Sequence, residues 1–227
     1  MRNQTKDIAK EETVKIDLDS ISLDGLLAVP ANAWGIVVFA HGSGSSRFSS
    51  RNLYVAEYLQ SNGMATLLFD LLTKREEEYD DRSGNLRFDI SFLTMRLVAA
   101  TAWLDSQESV RELPVGYFGA STGAAAALSA AAIKPDIVRA VVSRGGRPDL
   151  TGPSLKDVKA PTLFIVGGSD TQVLLLNQKA FTSLDSIKEI RVVPGATHLF
   201  EETGALERVA RLASEWFSKY LAPSDDR

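Results

Sequence analysis

Six short apolar runs, spaced through the chain by longer polar or amphipathic stretches, are the feature that most narrows what this sequence can fold into. They are Gly35–Ala40, Ala65–Phe69, Val115–Phe118, Val138–Val142, Leu163–Val166 and Ile190–Val193. Each is too short for a stable helix and lacks polar alternation, so each reads as a strand buried on both faces. Helical patterns fall between them. Ser50–Asn62 is bracketed by a candidate N-cap at Ser50 and a stop at Asn62-Gly63, and Ile90, Leu93, Leu97, Ala100 and Leu104 recur at helical spacing within Asp89–Asp105. An alanine-rich helix runs to Ile133 before Pro135, and Ala205–Leu221 carries Leu206, Val209, Ala213, Trp216, Phe217 and Tyr220 on one face. Buried strands alternating with helices predict an α/β fold, a mostly parallel sheet with helices on both faces. Thr13–Leu18 and Ile21–Val29 add an antiparallel N-terminal hairpin at its edge. No repeat or linker divides the 227 residues, so one domain over 1–227 is expected, with frayed ends at 1–10 and 222–227 and no large cap.

Composition removes several functions. The absence of cysteine excludes disulfides, thiolate metal sites and thiol catalysis. A net charge of −4 offers no general attraction to nucleic acid or to anionic membranes, and neither is expected as a partner. The apolar runs fall far short of the ~20 residues that cross a bilayer, and the first residues show no signal-peptide pattern. The expectation is a cytoplasmic protein, its oligomeric state open. Only His41 and His198 are available to any chemistry that needs an imidazole.

In open sheets of this kind, ligands sit beyond the carboxyl ends of the strands. There the sequence places Gly119-x-Ser121-x-Gly123, between a strand and the alanine-rich helix. A serine on so sharp a turn exposes its hydroxyl, and small neighbours let strand and helix close around it. Seven alanines between Ala124 and Ala132 favour close approach of that helix to the sheet. Serine alone is a poor nucleophile and needs a base oriented by a carboxylate. His198, in Pro194-Gly195-Ala196-Thr197-His198, is the only histidine after the serine, and Asp170 closes Val166-Gly167-Gly168-Ser169-Asp170 just past a buried strand. The order Ser121, Asp170, His198, with spacings of 49 and 28 residues, is the chain order of one class of serine hydrolases. Asp149 is the alternative acid. The loop His41-Gly42-Ser43-Gly44 follows another strand and suits an oxyanion hole, in which the amides of Ser43 and Thr122 would face a developing negative charge. His41 would then hold the loop rather than move protons. A dinucleotide-binding reading of Gly42-x-Gly44 lacks its third glycine, Arg47 standing there instead, and no Walker A pattern occurs.

Taken together, His41-Gly-Ser-Gly-Ser-Ser-Arg47, Gly119-Ala-Ser-Thr-Gly123, Gly167-Gly-Ser-Asp170 and Gly195-Ala-Thr-His198 resemble the α/β-hydrolases. More narrowly, the chain is similar to the small, cap-less dienelactone hydrolases. The resemblance spans Gly35 to the last helix and implies a Ser121–His198–Asp170 triad and acyl-ester chemistry, with no cofactor and no metal. It departs at the nucleophile: dienelactone hydrolases proper use cysteine, which this chain lacks.

The expected activity is hydrolysis of a small soluble carboxylic ester or lactone. An acyltransferase or peptidase on the same residues, or a non-catalytic binding protein, are the alternatives. Arg47, Arg51, Lys74, Arg75, Arg144 and Arg147 fall in expected loops at the carboxyl edge. Of these, Arg47 and Arg144 are the candidates to hold an anionic substrate group, against the commoner outcome of solvated or surface-paired arginines. The polar stretch Leu72–Arg87 reads as a loop, the only segment long enough to form a small flap.

Overall fold

The computed structural model describes residues 9–18 and 20–223. Eight strands form one sheet: β1 (Lys10–Leu18), β2 (Ile21–Val29), β3 (Ile36–Ala40), β4 (Ala65–Phe69), β5 (Val115–Ala120), β6 (Val138–Arg144), β7 (Thr162–Gly167) and β8 (Lys188–Val193). Their spatial order is β1-β2-β4-β3-β5-β6-β7-β8. β1 pairs with β2, and β2 with β4, antiparallel; every other pairing is parallel. All six apolar runs lie in the parallel part. Every residue of β3, β4, β5 and β7 is buried, as strands covered on two faces require. The helices are α1 (Ser50–Gln60), α2 (Lys74–Ser83), α3 (Ile90–Trp103), α4 (Thr122–Ile133), α5 (Thr171–Ser183) and α6 (Ala205–Leu221). Side chains of α1 and α6 pack with Val37, Phe39 and Phe118 on one face of the sheet. Those of α3, α4 and α5 pack with Val38, Leu67 and Tyr117 on the other.

Several boundaries differ from the sequence-based expectation, each for a physical reason. Lys10, expected in a frayed end, instead opens β1 by pairing with Val29; the rest of that expectation, at 1–8 and 224–227, lies outside the described residues. The cap of α1 is Ser49, whose hydroxyl accepts from Asn52 N, one residue before the expected Ser50. β6 runs on to Ser143 and Arg144, because Ala120 and Ile165 on the flanking strands pair with Arg144. Arg144 therefore belongs to a buried strand and not to a loop.

The largest correction is α2, which occupies the stretch read as a polar loop. It lacks an apolar stripe, so periodicity passes over it, but it carries a capping box. Thr73 Oγ1 accepts from Glu76 N at 3.3 Å, and Glu76 Oε2 accepts from Thr73 N at 2.7 Å. At its far end, the buried Asp80 carboxylate accepts from the Leu86 and Arg87 amides and from the Arg87 side chain, tying the helix to the turn at Leu86–Phe88. Burial alone would raise the Asp80 carboxyl, but Arg87 and the two amides outweigh it and hold it below the ordinary aspartate value.

A carboxyl depressed in the folded state stabilises above its unfolded value of about 3.9 and loses that contribution as pH falls through the folded one. Asp80→Ala is therefore expected to lower unfolding free energy in urea by about 1–3 kcal/mol at pH 7. The gap from wild type should narrow steadily below about pH 4. An equal gap at pH 7 and pH 3 would contradict this role.

Candidate active site

The site grows from the junction of β5 and α4. Ser121 sits there at φ 52, ψ −121, a strained conformation for a residue with a side chain. Two glycines permit it. A Cβ on Gly119 would stand 2.7 Å from Gly123 O, against the first turn of α4, and one on Gly123 would overlap the carbonyls of Ala40 and His41 at the end of β3. The turn is held by Ser121 N donating to Arg144 O at 3.2 Å and by Ser121 O accepting from Arg147 N at 3.1 Å. Ser121 caps α4 without a side-chain hydrogen bond, and its side chain lines a cavity of about 280 Å³ together with His198.

The loops after β7 and β8 interlock. Ser169 N donates to Ala196 O at 2.9 Å and Gly168 N to Val193 O at 2.8 Å, while Thr197 N is held by Glu202 Oε1 at 3.0 Å. This framing brings Asp170 Oδ2 to 2.7 Å from His198 Nδ1. Two residues beyond His198, Phe200 also has positive φ, at 57, and its buried ring anchors the histidine loop in the core. With Nδ1–H donated to Asp170, His198 Nε2 is left as an acceptor on the ring's other edge. No hydrogen bond joins Ser121 Oγ to His198 among the described residues. Asp149, the alternative acid, is taken up by Arg147, whose Nε and terminal nitrogen donate to it at 2.9 and 2.7 Å. That guanidinium holds the Asp149 carboxyl below its usual value.

The loop after β3 forms the facing wall. His41 is buried; its Nε2 accepts from Leu71 N at 3.1 Å, which leaves the proton on Nδ1 for Gly42 O at 2.9 Å. Burial pushes its pKa down and favours this neutral tautomer. The two candidate amide donors differ. Thr122 N heads α4, where helix amides have no intrahelical acceptor, whereas Ser43 N donates to Thr122 Oγ1 at 2.9 Å. The Ser43 amide is thus already engaged by the very residue expected to be its partner donor.

The arginines divide sharply. Arg47 is ion-paired with Asp70, which also accepts from the Arg47 amide at 2.7 Å, and it does not line the Ser121 cavity. Its expected role as an anion holder is corrected: the Asp70 at the end of β4 supplies its counterion within the protein. Arg144 does line the cavity, buried, with only Asn52 Oδ1 at 3.4 Å as a side-chain hydrogen-bond partner among the described residues. Arg51, expected in a loop at the carboxyl edge, lines the cavity from α1 instead; Asn52 beside it has no motif in the sequence to mark it. Beyond Ser43 a smaller cavity, about 120 Å³, is walled by Glu77, Asp80, Asp81 and Arg87 on and after α2.

A serine at a strained strand-to-helix turn on a mostly parallel eight-stranded sheet, with an Asp–His pair from the loops after β7 and β8, is the arrangement of an α/β-hydrolase fold. The model of the dienelactone hydrolase family matches residues 23–221, and the chain belongs to that family. It is 57% identical to a crystallised dienelactone hydrolase from Anabaena variabilis, with a TM-score of 0.92 over 94% of this chain and 99% of that one. Est1E from Butyrivibrio proteoclasticus, solved with ferulic acid bound, shares the fold at a TM-score of 0.78 and 18% identity, over 91% of this chain and 98% of that one. Over 212 residues, 93% of this chain, it is also 57% identical to a Mycobacterium tuberculosis protein named "Putative phosphoribosyl transferase Rv0571c". The chain spans about half, 47%, of that relative's length. Among the described residues, no helix is long and apolar enough to cross a membrane.

The packing at the turn makes a testable demand. Gly123→Ala should either fail to fold or unfold at markedly lower urea, by about 1–3 kcal/mol or more, because the β3 carbonyls must move aside. A variant with wild-type stability in urea denaturation would show that α4 and β3 are not in this contact.

Proposed function

We propose that the protein is a serine hydrolase of small carboxylic esters or lactones, acting through an acyl-enzyme on Ser121. The observation that carries the reading is the 2.7 Å Asp170–His198 pair opening onto the cavity that the strained Ser121 lines. In this mechanism His198 Nε2 takes the Ser121 proton as Oγ attacks the carbonyl, and Asp170 holds the tautomer and stabilises the imidazolium. The Thr122 amide receives the oxyanion. The Ser43 amide joins it, sharing its hydrogen with Thr122 Oγ1 or released by rotation of that hydroxyl. Such a donor is typically worth about 2.7–4 kcal/mol in the transition state. His198 then protonates the departing alkoxide and activates water, which releases the acid and restores Ser121.

The size and lining of the cavity favour small polar substrates. Serines, arginines and an asparagine surround Ser121, with Leu199 as the one large aliphatic side chain in the wall. Family membership and esterase-fold neighbours point to the same reaction class, and the serine nucleophile separates the chain from cysteine-dependent chemistry.

A fluorophosphonate probe should label the wild type at Ser121 and leave Ser121→Ala unlabelled. Phenyl acetate hydrolysis should fall by about 10³-fold or more in Ser121→Ala, and by about 10⁴-fold in Asp170→Asn through loss of the correct histidine tautomer. A Ser121→Ala protein with wild-type turnover would end the proposal.

A further inference from the structure

Arg144 is a cation without a counterion. Its side chain is buried, its Nε has no hydrogen-bond partner, and no carboxylate forms an ion pair with it among the described residues. Its surroundings are an amide oxygen, Asn52 Oδ1 at 3.4 Å, and the Phe200 ring, with its centroid 5.9 Å from the guanidinium carbon. The charged group that acts on it is another cation, Arg51, and burial together with that like charge pushes its pKa down to about 10. A buried, unpaired guanidinium beside a second one is unfavourable in the empty protein, and the usual resolution is a counterion. Nearby arginines show what the fold does when it supplies one itself: Asp70 serves Arg47, Asp149 serves Arg147 and Asp80 serves Arg87.

The position of Arg144 specifies what that counterion belongs to. Arg144 lies opposite Ala120 in the β5–β6 register, its carbonyl accepts from Ser121 N, and its side chain lines the same cavity as Ser121 and His198. Arg51 lines that cavity too; its hold on Glu201 is a single contact at 3.3 Å to a carboxylate that is mostly exposed. Ser43, Ser45 and Ser49 line the same wall, the Ser49 hydroxyl accepting from Asn52 N with its own proton left to donate. Two guanidiniums beside hydroxyl donors suit a doubly charged, tetrahedral oxyanion. With Arg51 tied to Glu201 only by that one contact, a carboxylate offers two oxygens to the two guanidiniums, whereas a phosphate monoester offers three acceptor oxygens and nearly two negative charges at neutral pH.

We infer that Arg144 and Arg51 form a recognition subsite for a phosphate monoester group carried by the substrate that Ser121 attacks. The substrate class is thus a small acyl ester or lactone bearing a phosphate. The inference rests on the serine-hydrolase reading for the identity of the reacting bond, but the subsite itself can be tested without turnover.

The test is binding of phenyl phosphate, benzoate and benzyl alcohol to the Ser121→Ala protein, by calorimetry and thermal shift at pH 7.5 and low salt. Phenyl phosphate should bind at least tenfold more tightly than benzoate, with benzyl alcohol weaker still. Adding Arg144→Met should weaken phenyl phosphate at least tenfold while leaving the urea midpoint unchanged or raised, since an uncompensated buried charge has been removed. Should that double variant not fold, Arg51→Met on the Ser121→Ala background carries the test, with at least a threefold weakening expected. Equal binding of the three probes, or phosphate affinity indifferent to both arginines, would overturn the subsite. Benzoate binding as tightly as phenyl phosphate would overturn the phosphate assignment. The two readings fail separately. Arginine-dependent phosphate binding in a protein whose wild type neither turns over esters nor takes up fluorophosphonate would refute the hydrolase reading alone. Ester turnover without any phosphate effect would refute the subsite alone.

Discussion

The structure depends on how closely α4 approaches the ends of β3 and β5. Ser121 can occupy its strained backbone conformation only because Gly119 and Gly123 carry no side chain where the helix, the strand and the β3 carbonyls meet. The alanines of α4 continue the same close contact along the sheet, since all but the last of them are buried. The strain is local, and the packing that sustains it extends along the whole helix. The half-buried Ser121 side chain thus stands at the cavity on a backbone held in place by close packing on either side.

From this junction the remaining parts of the site are positioned by backbone contacts between loops. The turn after β7 and the turn after β8 share hydrogen bonds at Gly168 and Ser169, which ties the loop of Asp170 to that of His198. His41 does the same for the loop after β3, joining Leu71 N to Gly42 O through a neutral imidazole. The two histidines therefore have opposite electrostatic settings. One is buried among neutral backbone groups, and the other is paired with a carboxylate at the edge of a cavity. The engagement of Ser43 N by Thr122 Oγ1 adds a further link, tying the two candidate oxyanion donors to one another before any ligand arrives.

Charge pairing divides the cavity from its surroundings. Around its rim, arginines and carboxylates satisfy each other, as with Arg47 and Asp70 or Arg147 and Asp149. Inside, Arg144 has no carboxylate partner among the described residues, and it is buried at the end of β6. Arg144 is also the neighbour of the strained turn, since it pairs with Ala120 in the β5–β6 register and its carbonyl accepts from Ser121 N.

Much of this was legible in the chain itself. Short apolar runs with helical stretches between them point to a parallel sheet covered on both faces, because the helices supply the crossovers and the cover. Gly119-x-Ser121-x-Gly123, Asp170 and His198 could be singled out because the chemistry constrains residue type and chain order. Helix α2 was not visible to periodicity, since its residues are almost all polar and only Thr73 and Glu76 announce it. The fate of the arginines was not legible at all. Arg47, Arg51, Arg144 and Arg147 are the same side chain in similar sequence surroundings, and what separates them is which carboxylate the fold brings near. The sequence by itself determined the sheet, the elbow and the residue types of the site, all set by local pattern. Only the tertiary structure decided that Ser43 N would meet Thr122 Oγ1, that Arg47 would be neutralised and that Arg144 would not. Those outcomes depend on distances between residues far apart in the chain, and electrostatic energies change with such distances by more than any local pattern records.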